Sequence, residues 1–138
     1  MRLFFDTGFF CTLALPEDAH HGSASVMLKT ALDNNPIQFT SNYVLDETYT
    51  LIRTRRGYFA SITFMKNFEK LDITVLRVSE ETEEAASTIF RTYDLPRLSF
   101  TDCTSFALVN AHRIDHLFTF DKHFSFFRFN HSVTILGA

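Results

Sequence analysis

The feature that most restricts this chain of 138 residues is an alternation of short apolar runs with stretches of helical period. The first run, Leu3-Phe4-Phe5, carries no polar residue on either face. Such a run suits a strand covered on both sides, as in the middle of a parallel sheet. It ends on Asp6, and Thr7-Gly8-Phe9-Phe10 then opens a helical stretch that Pro16 closes. Glu17 to Leu32 reads as a second helix, with Ala19, Ala24, Met27, Leu28, Ala31 and Leu32 on its inner face. Asn34-Asn35-Pro36 is a breaker before the short strand Ile37-Gln38-Phe39-Thr40.

Ser41 or Asn42 caps a third helix carrying Val44, Leu45, Thr48, Leu51 and Ile52, which ends near Arg55-Arg56-Gly57. Tyr58 to Leu71 is helical again, and Ile73 to Leu76 is a strand. Ser79 caps an acidic helix, Glu80 to Tyr93. After Pro96, Ser99-Phe100-Thr101-Asp102 starts a helix running to about Arg113. A strand from His116 to Phe120, a turn over Asp121-Lys122-His123-Phe124 and a strand at Val133-Thr134-Ile135 complete the chain. Strands alternating with helices imply βαβ units and a mostly parallel sheet covered on both faces. The expectation is one three-layer α/β/α domain over residues 1–138.

Charge and cysteine content narrow the function. The formal charge is −3, from 13 Lys and Arg against 16 Asp and Glu. Contact with nucleic acid must therefore rest on a local basic patch or a bound cation. Two cysteines, Cys11 and Cys103, make neither a disulfide scaffold nor a four-ligand zinc site. No leader-like segment opens the chain and no apolar run reaches about 18 residues, so a cytoplasmic protein is expected. The 17 Phe exceed what a domain this small readily hides, which points to a homodimer.

Four carboxylates stand at the junctions of this map. Asp6 follows the first strand, Glu47 lies one turn into the third helix, Asp102 opens the penultimate helix, and Asp121 follows Leu117-Phe118-Thr119-Phe120. Ligands of open α/β sheets bind beyond the carboxyl ends of the strands, where such acids collect. Asp102 shares a helix face with Phe106 and Val109 and so looks toward the sheet. Each acid has an ordinary structural reading too. Asp6 can be an N-cap, Ser99-x-x-Asp102 is a capping-box pattern, and Asp121 can form an Asx turn. A crevice of ionised carboxylates repels itself unless divalent cations neutralise it, and hard oxygen donors point to Mg2+ or Mn2+. On a helical wheel at about 100° per residue, the apolar face of the third helix centres near 40° from Val44. Glu47 falls at about 300°, on the edge of that face, and Asp46 at about 200°, nearly opposite.

The segments ending Phe5-Asp6-Thr7, Asn42 to Leu51 with Asp46-Glu47, Leu98 to Ser105 with Asp102, and Thr119-Phe120-Asp121-Lys122-His123-Phe124 occur in one order over nearly the whole chain. Together they resemble the PIN-domain nucleases, and within them the VapC-like toxins of toxin–antitoxin pairs. The resemblance implies that Asp6, Glu47, Asp102 and Asp121 hold one or two Mg2+ or Mn2+ ions and hydrolyse RNA phosphodiester bonds. It further implies an antitoxin protein as partner. Thr7 and Thr119 then offer hydroxyls just outside the metal's ligands. Gly8 stands where that family often has Ser, which removes one possible hydrogen bond near the metal. Arg53, Arg55 and Arg56 form the one dense basic cluster, suited to steering phosphate or to lining a helix C-terminus. The alternatives are a catalytically inactive PIN-like binding module and a phosphoacceptor α/β domain with Asp6 as nucleophile. The second lacks the expected acid two residues after Asp6, where Gly8 stands.

Overall fold

A computed structural model describes residues 1–137 of the chain. Five strands form one sheet: β1 (Arg2–Phe5), β2 (Ile37–Ser41), β3 (Ile73–Leu76), β4 (His116–Thr119) and β5 (Thr134–Gly137). All pairings are parallel, in the order β3-β2-β1-β4-β5. The expected buried strand is the central one. Leu3, Phe4 and Phe5 are almost wholly buried, and Phe4 sits in register with Phe39 on one side and Leu117 on the other. The chain builds outward from β1 in one direction through β2 and β3, then returns to β1's other edge with β4 and β5. The carboxyl ends of β1 and β4 therefore flank the topological switch point, the place where open α/β sheets hold ligands.

Six helices accompany the sheet among the described residues: α1 (Thr7–Ala14), α2 (His21–Leu32), α3 (Asn42–Phe68), α4 (Glu80–Thr92), α5 (Phe100–Ala111) and α6 (His123–Phe126). They make the three-layer arrangement that the strand–helix alternation implies. The Phe9 ring stacks on Phe118 at 4.1 Å, and Phe118 on Phe5 at 5.7 Å, so α1 is fastened over the β1–β4 pair. Each such buried ring is worth roughly 1.5–3 kcal/mol relative to exposure. Ser41 is the cap of α3, accepting from the Val44 amide at 3.0 Å. α3 breaks at Gly57, whose φ of 87° and ψ of −169° interrupt the helix where Arg55-Arg56-Gly57 suggested an end. Glycine carries no Cβ to oppose that conformation.

Several boundaries differ from the sequence reading. α2 starts at His21 rather than Glu17, because the Asp18 amide bonds the Leu15 carbonyl and the Asp18 carboxylate accepts from the His20 amide at 2.8 Å. A local turn of this kind outcompetes the helix. The turn after Asp121 tightens into the short helix α6, and β5 begins one residue later than expected and runs on to Gly137. That glycine is needed. It has φ of 108°, and a Cβ there would lie 2.6 Å from the Thr119 carbonyl oxygen. Of the phenylalanines that follow Asp121, Phe124 and Phe127 are buried, with Phe127 stacked on Phe106 at 4.4 Å, while Phe126 is exposed. α5 ends at Ala111, so His112 is its C-cap and His116 begins β4.

Candidate metal centre

Asp6 leaves β1 in extended conformation at the N-cap position of α1, yet its side chain makes no capping hydrogen bond. Its Oδ2 instead accepts from the Thr119 hydroxyl at 2.8 Å, at the end of the neighbouring strand β4. The same hydroxyl oxygen accepts from the Asp121 amide at 2.9 Å. With one proton to donate, Thr119 is fixed in direction, and it links Asp6 to Asp121 across the switch point. Gly137 lies against the backbone of this same residue.

Asp102 approaches these residues from the first turn of α5. Its amide donates to Ser99 Oγ at 2.9 Å, and its Oδ2 accepts from the Ser99 amide at 3.4 Å, the reciprocal capping box. Asp121 forms its Asx turn, with Oδ1 accepting from the His123 amide at 2.8 Å. Oxygen atoms of Asp102 and Asp121 and a ring nitrogen of His123 all lie within 4.8 Å of one another. His123 Nδ1 is 2.9 Å from Asp121 Oδ1 and 3.5 Å from Asp102 Oδ2. From sequence His123 stood in a turn, within the last of the four PIN-like segments, with no role at the metal; its signal was its place two residues after Asp121.

Burial and mutual repulsion leave these acids uncomfortable. The Asp6 carboxyl is pushed up to about 7, by desolvation first and the Asp102 charge second, against the Thr119 hydroxyl and the Thr7 amide. Burial and then the Asp121 charge raise Asp102, opposed by its bonds to Ser99. For His123, burial disfavours the charged ring, but the Pro96 carbonyl and both carboxylates outweigh it and raise the pKa. His123 offsets part of the charge at Asp102, but the charges acting on Asp6 are those of other carboxylates, and a divalent cation would fit the oxygen donors they present.

The other expected residues lie at varying distance from this group. Glu47 is half-buried on α3 and Asp46 is exposed, in agreement with the wheel. Glu47 stands outside the three-residue cluster, but its charge and that of Asp6 are both felt at Cys11, whose thiol burial foremost pushes up to about 11. Arg55 acts on the same thiol with opposite sign, so its charge reaches the acidic side of α1. Arg53 donates to Ser61 Oγ at 2.8 Å and lies over the Tyr58 ring, and Arg56 pairs with Glu17. The Thr7 hydroxyl donates to the Val44 carbonyl at 3.4 Å, tying α1 to α3. At Gly8 an added Cβ would meet open space.

A five-stranded parallel sheet with acids gathered beyond its β1 and β4 ends is the frame of a PIN domain, and the chain belongs to that family, whose model matches residues 3–130. Over 123 residues it is 33% identical to the 23S rRNA-specific endonuclease VapC20 of Mycobacterium tuberculosis, covering 89% of this chain and 92% of that protein. The crystal structure of VapC20, described as a sarcin–ricin loop cleaving toxin, superimposes with a TM-score of 0.80 at 32% identity, over 89% of this chain and 92% of that one. The crystal structure of VapBC2 from Rickettsia felis, bound to a DNA fragment from their promoter, gives a TM-score of 0.73. At 14% identity over 99% of this chain and 98% of that one, the second likeness is one of fold.

Proposed function

We propose that the protein is a Mg2+- or Mn2+-dependent endoribonuclease and the toxin of a toxin–antitoxin pair, with Asp6, Glu47, Asp102 and Asp121 as its metal-holding and catalytic acids. The observation that carries this reading is that Asp6 and the Asp121 amide share the Thr119 hydroxyl at the switch point while the charges of Asp102 and Asp121 act on Asp6, in a chain so similar to a ribosomal RNA endonuclease. Bound there, the cation supplies a counter-charge for the phosphate oxygens and lowers the pKa of water, so no protein nucleophile is required.

The protein's own residues then have separable tasks. Asp6 and Asp102 offer buried carboxylate oxygens, and Asp121 closes the site from the β4 side. Thr119 holds Asp6 and the Asp121 backbone in one relative position. Glu47 reaches in from the α3 edge, where a long side chain spans from a half-buried position. Of the basic cluster, Arg55 is best placed to attract phosphate, since Arg53 and Arg56 already have partners within the fold. The relative's activity supports ribosomal RNA as the substrate class. An antitoxin and a second copy of the chain are the inferred protein partners; exposed Phe59, Phe90 and Phe126 support such contacts. Among the described residues no helix is long and apolar enough to cross a membrane.

The test is cleavage of single-stranded RNA and of 23S rRNA by purified protein. Cleavage is expected with Mg2+ or Mn2+ and is expected to stop with chelator. Asp6→Asn and Asp102→Asn are each expected to abolish it with far-UV circular dichroism unchanged. Equal cleavage by wild type and both variants would assign the activity to a contaminant and overturn the proposal.

A further inference from the structure

We propose that His123 is a direct ligand of the cation through Nδ1, and that this nitrogen gives the site a preference for Mn2+ over Mg2+. The inference rests on the metal-site reading above and adds to it a donor that the acidic quartet does not include. The tautomer follows from the partner of the other ring nitrogen. Nε2 lies 2.7 Å from the Pro96 carbonyl oxygen, which only accepts, so Nε2 carries a proton. Without a cation the two carboxylates favour the charged ring; a cation between them replaces the Nδ1 proton, and the lone pair that then faces it is on Nδ1. That atom is buried, makes no hydrogen bond of regular geometry among the described residues, and faces Asp121 Oδ1 at 2.9 Å and Asp102 Oδ2 at 3.5 Å. An N–H donated to a backbone carbonyl is the outer contact that orients metal-binding histidines.

The ring is held from two directions. Its own backbone amide is fixed by Asp121 Oδ1, and the next residue, Phe124, is buried edge-on against Phe106 at 4.8 Å. On the far side, Arg97 directly follows Pro96 with φ of 63°, a conformation uncommon outside glycine. Backbone strain of this kind persists where surrounding structure demands it, and here it sits beside the carbonyl that aims the ring. The chemistry separates the two candidate ions. Mg2+ favours oxygen ligands in near-ideal octahedral geometry and keeps its waters. A neutral imidazole instead favours first-row transition ions, among which Mn2+ also accepts the carboxylates.

Pulsed electron paramagnetic resonance on Mn2+-loaded full-length protein reads nitrogen coordination directly, and calorimetry gives the affinities for Mn2+ and Mg2+ alone. Wild type is expected to show hyperfine coupling to one directly bonded imidazole nitrogen. His123→Gln is expected to lose that coupling and at least about tenfold of the Mn2+-over-Mg2+ affinity ratio. Failure of Mn2+ to bind, stoichiometric Mn2+ without bonded nitrogen in wild type, or a variant that keeps the coupling or the ratio overturns the assignment. The wild-type spectrum decides the matter even where the variant does not fold. RNA cleavage followed in parallel separates the two proposals. Metal-dependent cleavage without nitrogen coupling removes His123 and leaves the nuclease, while coupling without cleavage does the reverse.

Discussion

The buried Asp6 carboxyl makes a quantitative prediction about metal-free protein. Its pKa is raised from 3.8 to about 7, chiefly by burial and then by the Asp102 charge. Because the folded-state value lies above the unfolded one, folded protein holds an extra proton between them. The associated stability is complete below about pH 4 and is lost as pH rises through about 7. At about 1.4 kcal/mol per unit, ionised Asp6 costs on the order of 4 kcal/mol at pH 8, of which about 2 kcal/mol appears between pH 5.5 and 8. For a chain of this size that is a fall in Tm of roughly 5–10 °C. Asp102 and His123, both raised, push the same way; Glu17 and Asp115, both lowered, act at more acid pH. Asp6→Asn keeps an oxygen for the Thr119 hydroxyl but cannot ionise. The expected outcome, by thermal melts in chelator, is a wild-type Tm that drops across this range and a distinctly flatter profile for Asp6→Asn. At pH 8 the variant should be the more stable, and millimolar Mg2+ or Mn2+ should restore wild type selectively. A wild-type Tm in chelator that is flat or rises with pH refutes the reasoning, as does a variant that is less stable at pH 8.

Two further outcomes are expected. Glu47→Gln should lower metal affinity and RNA cleavage by at least about tenfold, whereas exposed Asp46→Asn should leave both near wild type; calorimetry and a cleavage assay compare them, and the reverse pattern would remove Glu47 from the site. Sedimentation velocity at high micromolar concentration should find a homodimer, and a monomer throughout would refute that partner assignment.

What the sequence made legible has a physical pattern. The central strand, the helix break at Gly57 and the opposed directions of Asp46 and Glu47 follow from period and from glycine's freedom, which are local properties. The metal-site role inferred for His123 depends on Pro96, 27 residues earlier, and on Asp102 from another helix, so no window around His123 contains its environment. Gly137 is likewise explained by a close approach to Thr119 on the adjacent strand. Even the start of α2 was obscured by one competing bond from the His20 amide to Asp18.

The structural and functional readings of the acids also turn out to be compatible. Asp102 does form the capping box and Asp121 does form the Asx turn. A carboxylate offers about four acceptor positions, so one or two bonds to backbone amides leave most of its capacity free. Those bonds set the orientation of the free capacity without consuming it. Asp6 differs from both, because it occupies the N-cap position of α1 and forgoes the cap. An N-cap bond of that type is typically worth about 1 kcal/mol. Asp6 gives it up while buried, beside other acids, with the Thr119 hydroxyl as its one side-chain donor among the described residues. The helix dipole favours a carboxylate there by only about 0.3–1 kcal/mol, less than burial and the neighbouring charges cost it. A cation at the switch point would offset that cost, and this is why Asp6 is the residue on which the metal assignment most directly depends.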